Sequence, residues 1–166
     1  MSDQTIVQTM ESNRPQHANE AVTDQDWSQY VTFLVDGRSY GIEITKIREI
    51  RGWSLPTSLP NAPHAMRGLL NLRGIVVPVF DLRCQFSGVD TEVGTSHVVI
   101  IVTLVDRLIG VLVDAVSDIL TLEPNDIMPV PKTGSGSDQE FLYGLVSRGD
   151  RMIALLQLEG LFDIDI

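Results

Sequence analysis

From Gln29 onward, short apolar stretches alternate with breaks of two or three residues made from Asp, Gly and Arg. Tyr30–Val35, the break Asp36-Gly37-Arg38 and Ser39–Ile44 have the lengths and turn chemistry of a β-hairpin. Leu69–Leu72, Arg73-Gly74 and Ile75–Phe80 predict a second. Val98–Leu104 and Leu108–Val113 around Val105-Asp106-Arg107 predict a third, and Leu142–Ser147 and Met152–Leu158 around Arg148-Gly149-Asp150 a fourth. Arg48-Glu49-Ile50-Arg51-Gly52 alternates charged and apolar residues, the pattern of a strand with one wet face. Pro78 has no N–H to give a ladder, so it predicts an edge strand or a bulge. Helix is expected only in short pieces, at Ala62–Arg67 before Gly68 and at Glu159–Phe162.

The pattern also repeats. Aligned from Leu34 and Leu104, with one residue fewer in the second turn, Gly41 matches Gly110, Ile44 matches Val113, Ile47 matches Val116, and Glu49-Ile50 matches Asp118-Ile119. A second pair aligns without gaps, Gly68–Leu82 against Gly144–Leu158. The order A-B-A′-B′ indicates two copies of one strand-rich unit of about 60–70 residues and five strands, the size of a small SH3-like barrel. The expected fold class is mainly β: two small five-stranded SH3-like β-barrel subdomains packed together, with few short helices. Composition agrees, since Val and Ile total 32 residues against six Ala and two Lys.

Residues 1–28 are polar, without apolar periodicity, and are read as a disordered lead-in to an interdependent two-barrel domain over 29–163. The formal charge of −10 is uneven: residues 1–28 carry −4, 29–83 carry +3 and 84–166 carry −9. An acidic chain with ten aromatics lacks the basic, aromatic face that nucleic acid requires. The longest apolar run, Val98–Val102, is far short of the ~20 residues needed to cross a bilayer, and no secretory leader pattern follows Met1. A single cysteine, Cys84, fits a reducing compartment, and the expected location is cytoplasmic, with no direct membrane insertion.

Catalytic motifs do not emerge. There is no phosphate-binding G-x-x-x-x-G-K-[ST] loop, no G-x-G-x-x-G after a strand and no G-x-S-x-G elbow. His17, His64 and His97 stand apart in sequence, and no H-x-x-x-H or C-x-x-C spacing suggests a metal site, so no cofactor is expected. Cys84 reads as a half-buried thiol at a strand end. Gly134-Ser135-Gly136-Ser137 reads as a flexible connection. The Pro-rich stretch Leu55–Pro63 is either a polyproline ligand or, the preferred reading, a rigid connection between strands. A small-barrel hydrolase would lack nucleophile and base. Features that suit binding remain: the charged strand Arg48–Gly52 and Arg73 at a hairpin tip.

Taken together, R-E-I-R-G (48–52), N-A-P-H-A-M-R-G-L-L-N-L-R-G-I-V-V-P-V-F-D-L-R (61–83), G-V-L-V-D-A-V-S-D-I (110–119) and the closing E-F-L-Y-G-L-V and D-R-M-I-A-L-L strings resemble the CheW family of chemotaxis coupling proteins. The resemblance covers about 29–162. It implies two five-stranded barrels around a shared core. It also implies a non-enzymatic adaptor joining the cytoplasmic tips of methyl-accepting chemoreceptors to the regulatory domain of the histidine kinase CheA, recruited to receptor arrays at the inner membrane. A coupling protein of a non-flagellar pathway, such as pilus-driven motility, is the alternative within the class. The family's receptor-facing groove maps onto Ile47, Glu49, Arg73 and Val76, with Gly68 and Gly110 at tight backbone positions. Where the family often carries an Arg and a Phe for its kinase ring contact, this chain has Met128 and Thr133, so these are the kinase-contact positions and the contact, where kept, is differently built.

Overall fold

The computed structural model describes residues 27–131 and 141–162. Most of the polar lead-in, His17, Thr133 and the Gly134–Ser137 stretch therefore lie outside the described residues. Ten strands follow in chain order: β1 (Ser28–Val35), β2 (Arg38–Glu43), β3 (Ile47–Gly52), β4 (Met66–Leu72), β5 (Ile75–Asp81), β6 (Val98–Leu104), β7 (Arg107–Val113), β8 (Ala115–Leu122), β9 (Leu142–Arg148) and β10 (Arg151–Leu156). All four expected hairpins form: β1–β2, β4–β5, β6–β7 and β9–β10. All four turn on two residues, the fourth on Gly149-Asp150. Asp36-Gly37, Arg73-Gly74 and Val105-Asp106 each have positive φ at both positions, the type I′ geometry that matches strand twist. Arg38 and Arg107, expected within turns, are already strand residues.

The strands make two five-stranded sheets, ordered β8-β1-β2-β10-β9 and β3-β6-β7-β5-β4. Neither sheet is one repeat. Replacing each strand of the first sheet by its counterpart in the other repeat reproduces the order of the second, so the duplicated units exchange strands. The length of each repeat predicts one barrel per copy; instead the ladders β1–β8, β2–β10, β3–β6 and β5–β7 all join the two halves of the chain. The exchange keeps its register. Leu155 lies opposite Gly41 in the parallel β10–β2 pair, and Val79 opposite Gly110 in the parallel β5–β7 pair. Both glycines are crowded: an added Cβ would come within 2.9 Å of Leu155 at Gly41 and within 2.9 Å of Val99 at Gly110.

Each sheet closes on itself through a single bridge made by the chain leaving its edge strand. Beyond β3, Thr57 pairs with Leu69 of β4; beyond β8, Met128 pairs with Leu145 of β9. The Pro-rich stretch thus connects β3 to β4 and shuts the second barrel through Thr57. Three apolar clusters result. Tyr30, Leu122, Val146, Ile153 and Leu155 fill the first barrel, and Leu70, Leu72, Val77, Val79, Val99, Ile101 and Leu112 fill the second. The largest cluster, including Phe33, Ile42, Phe80, Ile100, Val111 and Phe162, lies between the barrels and draws on both. Side chains of alternating parity on β5–β7 therefore serve two cores, which is why those strands read as near-continuous apolar runs.

The helical expectations need correction. Residues 62–65 form a turn in which the Met66 N–H donates to the Pro63 carbonyl at 2.9 Å, and Met66 already pairs with Phe80 in β4. Residues 159–162 are also turn. Among the described residues the α-helix lies elsewhere, as α1 (Leu82–Ser87). Its signals are local: the Asp81 carboxylate caps the Cys84 N–H, and Gly88 ends the helix in the left-handed region at φ 76°. Cys84 is consequently buried on this helix rather than half-buried at a strand end. Burial, with the Asp90 and Asp81 carboxylates adding to it, pushes its thiol up to about 11. Pro78 sits on β5, an interior strand, but the β7 ladder begins only at Val79, so its missing N–H leaves no partner unsatisfied there.

Candidate functional site

A one-residue bulge shapes β3. Ile47 pairs with Val102, but Glu49 pairs with Ile101, so Arg48 is the extra residue. Residues 47 and 49 would share a face in a regular strand. With the bulge, Ile47 packs against the core between the barrels, while Glu49 and Arg51 line up with Ile101 and Val99 at the rim of the second barrel's interior. Ile50, which the wet-face pattern puts inside, is instead 42% exposed.

The re-aimed Glu49 meets the β4–β5 hairpin tip. Its Oε2 lies 3.3 Å from the Arg73 guanidinium, and its Oε1 lies 3.9 Å from that of Arg51. Arg73 adopts φ 52°, and the Asn71 side chain braces the turn by accepting the Gly74 N–H at 2.8 Å. The Arg73 side chain remains three-quarters exposed, so the pair contributes little to stability. It does hold the guanidinium at a defined place with donors still facing solvent.

The same barrel carries an apolar groove of about 820 Å³. Val76, Ile75, Pro78, Leu59 and Leu108 supply apolar walls, and Arg48 stands at its edge. Val76 is 62% exposed and Ile75 52%, which makes a contiguous apolar surface of the kind that marks a binding site. The neighbouring β6–β7 tip presents Val105, 79% exposed and at φ 45°, a costly conformation for a β-branched residue.

Of the six residues expected to form the groove, Glu49 and Arg73 meet in the ion pair and Val76 lines the cavity. Ile47 is half-buried beneath them. Gly68 and Gly110 are buried, their roles set by crowding. At Gly68, φ is 144° and a Cβ would collide with the Thr57 carbonyl. Met128 is 39% exposed and holds the first barrel's closing bridge through its backbone. The sequence reading missed Leu59, Ile75, Pro78 and Leu108 as groove walls. One signal was present: Val76 and Pro78 alternate with Val77 and Val79, which fill the barrel, so the former pair had to face outward.

The basic excess over 29–83 is largely paired in the structure. Lys46 pairs with Glu159, Arg67 with Asp81, Arg83 with Asp36, and Arg51 and Arg73 with Glu49. Among the described residues, Arg38 and Arg48 have no ion pair. No helix among them is long and apolar enough to cross a membrane.

Two strand-exchanged SH3-like barrels with a braced arginine and an apolar groove on one of them define a module built for protein docking. Residues 29–165 match the family model described as the CheW-like domain, and the chain belongs to this family of chemotaxis coupling proteins. It is 37% identical over 134 residues to the probable chemotaxis protein CheW of Rhizobium etli, covering 81% of this chain and 86% of that one. The chemotaxis protein CheW of Klebsiella aerogenes is also 37% identical, over 133 residues and 80% of each chain. Among solved structures, the scaffolding protein TtCheW from Thermoanaerobacter tengcongensis superposes with a TM-score of 0.75 at 29% identity, covering 83% of this chain and 89% of that one.

Proposed function

We propose that this protein is a cytoplasmic, non-catalytic adaptor that joins methyl-accepting chemoreceptor tips to the regulatory domain of the histidine kinase CheA. The observation that carries the receptor half is the second barrel's groove, lined by exposed Val76, on the same barrel as the Arg73–Glu49 pair. A receptor tip is a helical bundle, and a groove with apolar walls and one oriented guanidinium suits the apolar face and carboxylates of such a helix. Glu49 orients Arg73, and Ile47 supports the strand from below. Gly68 and Gly110 admit the close contacts with Thr57 and Val99 that hold the barrel carrying the groove. No cofactor enters this role: the work is a coupling free energy between two docked partners. At the kinase side, Met128 and Thr133 fall where the family resemblance implies an arginine and a phenylalanine, so a contact there would be differently built.

The test is calorimetric titration with a receptor cytoplasmic-tip fragment and, separately, with the CheA regulatory domain. Wild type is expected to bind both at low micromolar concentration or tighter. Arg73→Glu places two carboxylates face to face and should weaken receptor binding at least about tenfold, while kinase binding and thermal midpoint stay near wild type. Binding to neither partner overturns the adaptor role, and equal loss of both in the variant overturns the assignment of Arg73.

A further inference from the structure

Three potential ligands far apart in sequence converge beside α1. His64 comes from the connection between β3 and β4, Cys84 from α1 itself, and Asp90 from the loop that follows it. The His64 imidazole, the Cys84 sulfur and an Asp90 carboxylate oxygen all lie within 4.8 Å of one another. We propose that these three residues form a binding site for one divalent transition-metal ion of the zinc class, with a fourth position open to water or to a partner's side chain.

The spacing supports this reading. Tetrahedral bonds of about 2.0–2.3 Å to N, O and S set neighbouring ligand atoms roughly 3.3–3.7 Å apart. The His64 Nε2 to Asp90 Oδ1 separation is 3.5 Å. That is longer than a good N–H···O bond, about 2.7–3.2 Å, and within the span a shared ion imposes. A mixed S, N, O set selects zinc-like ions over Mg²⁺ and Ca²⁺, which require oxygen cages. Thiolate and carboxylate together neutralise the ion's two charges.

The site is also preorganised, through one buried residue. The Asp81 N–H donates to the carbonyl of Ala65, next to His64, at 2.7 Å. Its carboxylate accepts the Cys84 N–H at 3.3 Å. The same carboxylate accepts both the N–H and the hydroxyl of Thr91, next to Asp90, at 2.7 and 2.6 Å. Arg67 braces the arrangement, standing 3.4 Å from Asp81 and donating to the Thr91 carbonyl. Each ligand is thus tied, itself or through its chain neighbour, to Asp81, the kind of outer support that metal sites use. Cys84 closes the buried side, and exposed His64 and Asp90 leave the other side open to an entering ion.

On binding, the Cys84 S–H bond breaks and its proton goes to solvent as the sulfur–metal bond forms. His64 binds through a ring nitrogen and Asp90 through a carboxylate oxygen. Occupancy would fasten the loop that carries Thr57 and Leu59 to α1, and so stiffen one wall of the groove.

The test uses the full chain, stripped of metal and kept reduced, titrated with Zn²⁺ by calorimetry and with Co²⁺ by absorbance. One ion per chain should bind, with a thiolate-to-cobalt charge-transfer band and a rise in thermal midpoint. His64→Gln and Asp90→Asn alter exposed side chains and should leave the fold intact while weakening Zn²⁺ at least about tenfold. Cys84→Ser should abolish the band. The proposal is overturned by the absence of saturable binding below about 100 µM, by a cobalt spectrum without the thiolate band, or by undiminished binding in both exposed-ligand variants.

Discussion

Replacing Gly68 by alanine puts a methyl group where the Thr57 carbonyl already sits. The new Cβ would lie 2.9 Å from the Thr57 carbonyl carbon, closer still to its oxygen, and 3.2 Å from Pro56 Cβ. The backbone there has φ 144°, a region that L side chains avoid, at a cost of about 1–3 kcal/mol. To relieve the overlap Thr57 must retreat. That breaks its two hydrogen bonds with Leu69, each 2.8 Å long and each contributing about 0.5–1.5 kcal/mol. The total is about 2–6 kcal/mol, a large part of the stability of a domain this size. Urea unfolding followed by tryptophan fluorescence should show that loss, and hydrogen exchange should show Thr57 and Leu69 amides opening first. Gly52→Ala, with nothing within 4 Å of the added Cβ, should change stability by less than about 0.5 kcal/mol. A cost below about 1 kcal/mol for Gly68→Ala, or exchange at Leu69 no faster than in wild type, would refute the reasoning. It would mean that the second barrel does not depend on this bridge for closure.

Two further outcomes follow from the fold. Because the halves of the chain exchange strands, residues 1–94 and 95–166 expressed separately should each remain unfolded, whereas mixing them should restore a dispersed amide spectrum; cooperative melting of either half alone would contradict the exchange. At acid pH, Glu159 should report on its contact with Lys46. Burial alone would raise the carboxyl, but the Lys46 hydrogen bond outweighs it, so the folded-state value lies below the ordinary 4.5. A depressed value means stability that is fully present above pH 4.5 and is lost as pH falls through the folded-state value. Glu159→Gln should flatten the decline in thermal midpoint below that pH, and an unchanged decline would show that the pair is not linked to folding.

Much of this was readable one segment at a time. Alternation and turn residues placed the four hairpins, because a two-residue turn and the side-chain period of two are properties of the local chain. The signals for α1, Asp81 as cap and Gly88 as stop, are also local, although the sequence reading placed its helices elsewhere. The candidate site was only partly readable. Arg73 at a hairpin tip follows from Asn-Leu-Arg-Gly, but its pairing with Glu49 depends on a bulge at Arg48 that appears only when β3 meets β6.

The duplication was visible in sequence, yet its arrangement was not. A repeat establishes that two units have the same pairing preferences, and those preferences are satisfied equally well within one copy or between copies. Exchange was decided by tertiary packing: crossed strands give Phe33, Phe80 and Val111 one common core, and Gly41 and Gly110 admit Leu155 and Val79 at the two junctions. The same holds for His64, Cys84 and Asp90, whose spacing along the chain fits no metal motif. They meet because β4, β5 and α1 fold around Asp81, and hydrogen bonds from one buried carboxylate leave no trace in the order of residues. Local chemistry thus set the elements and their faces, while the partners of each face were chosen by contacts between distant segments, which no short window contains.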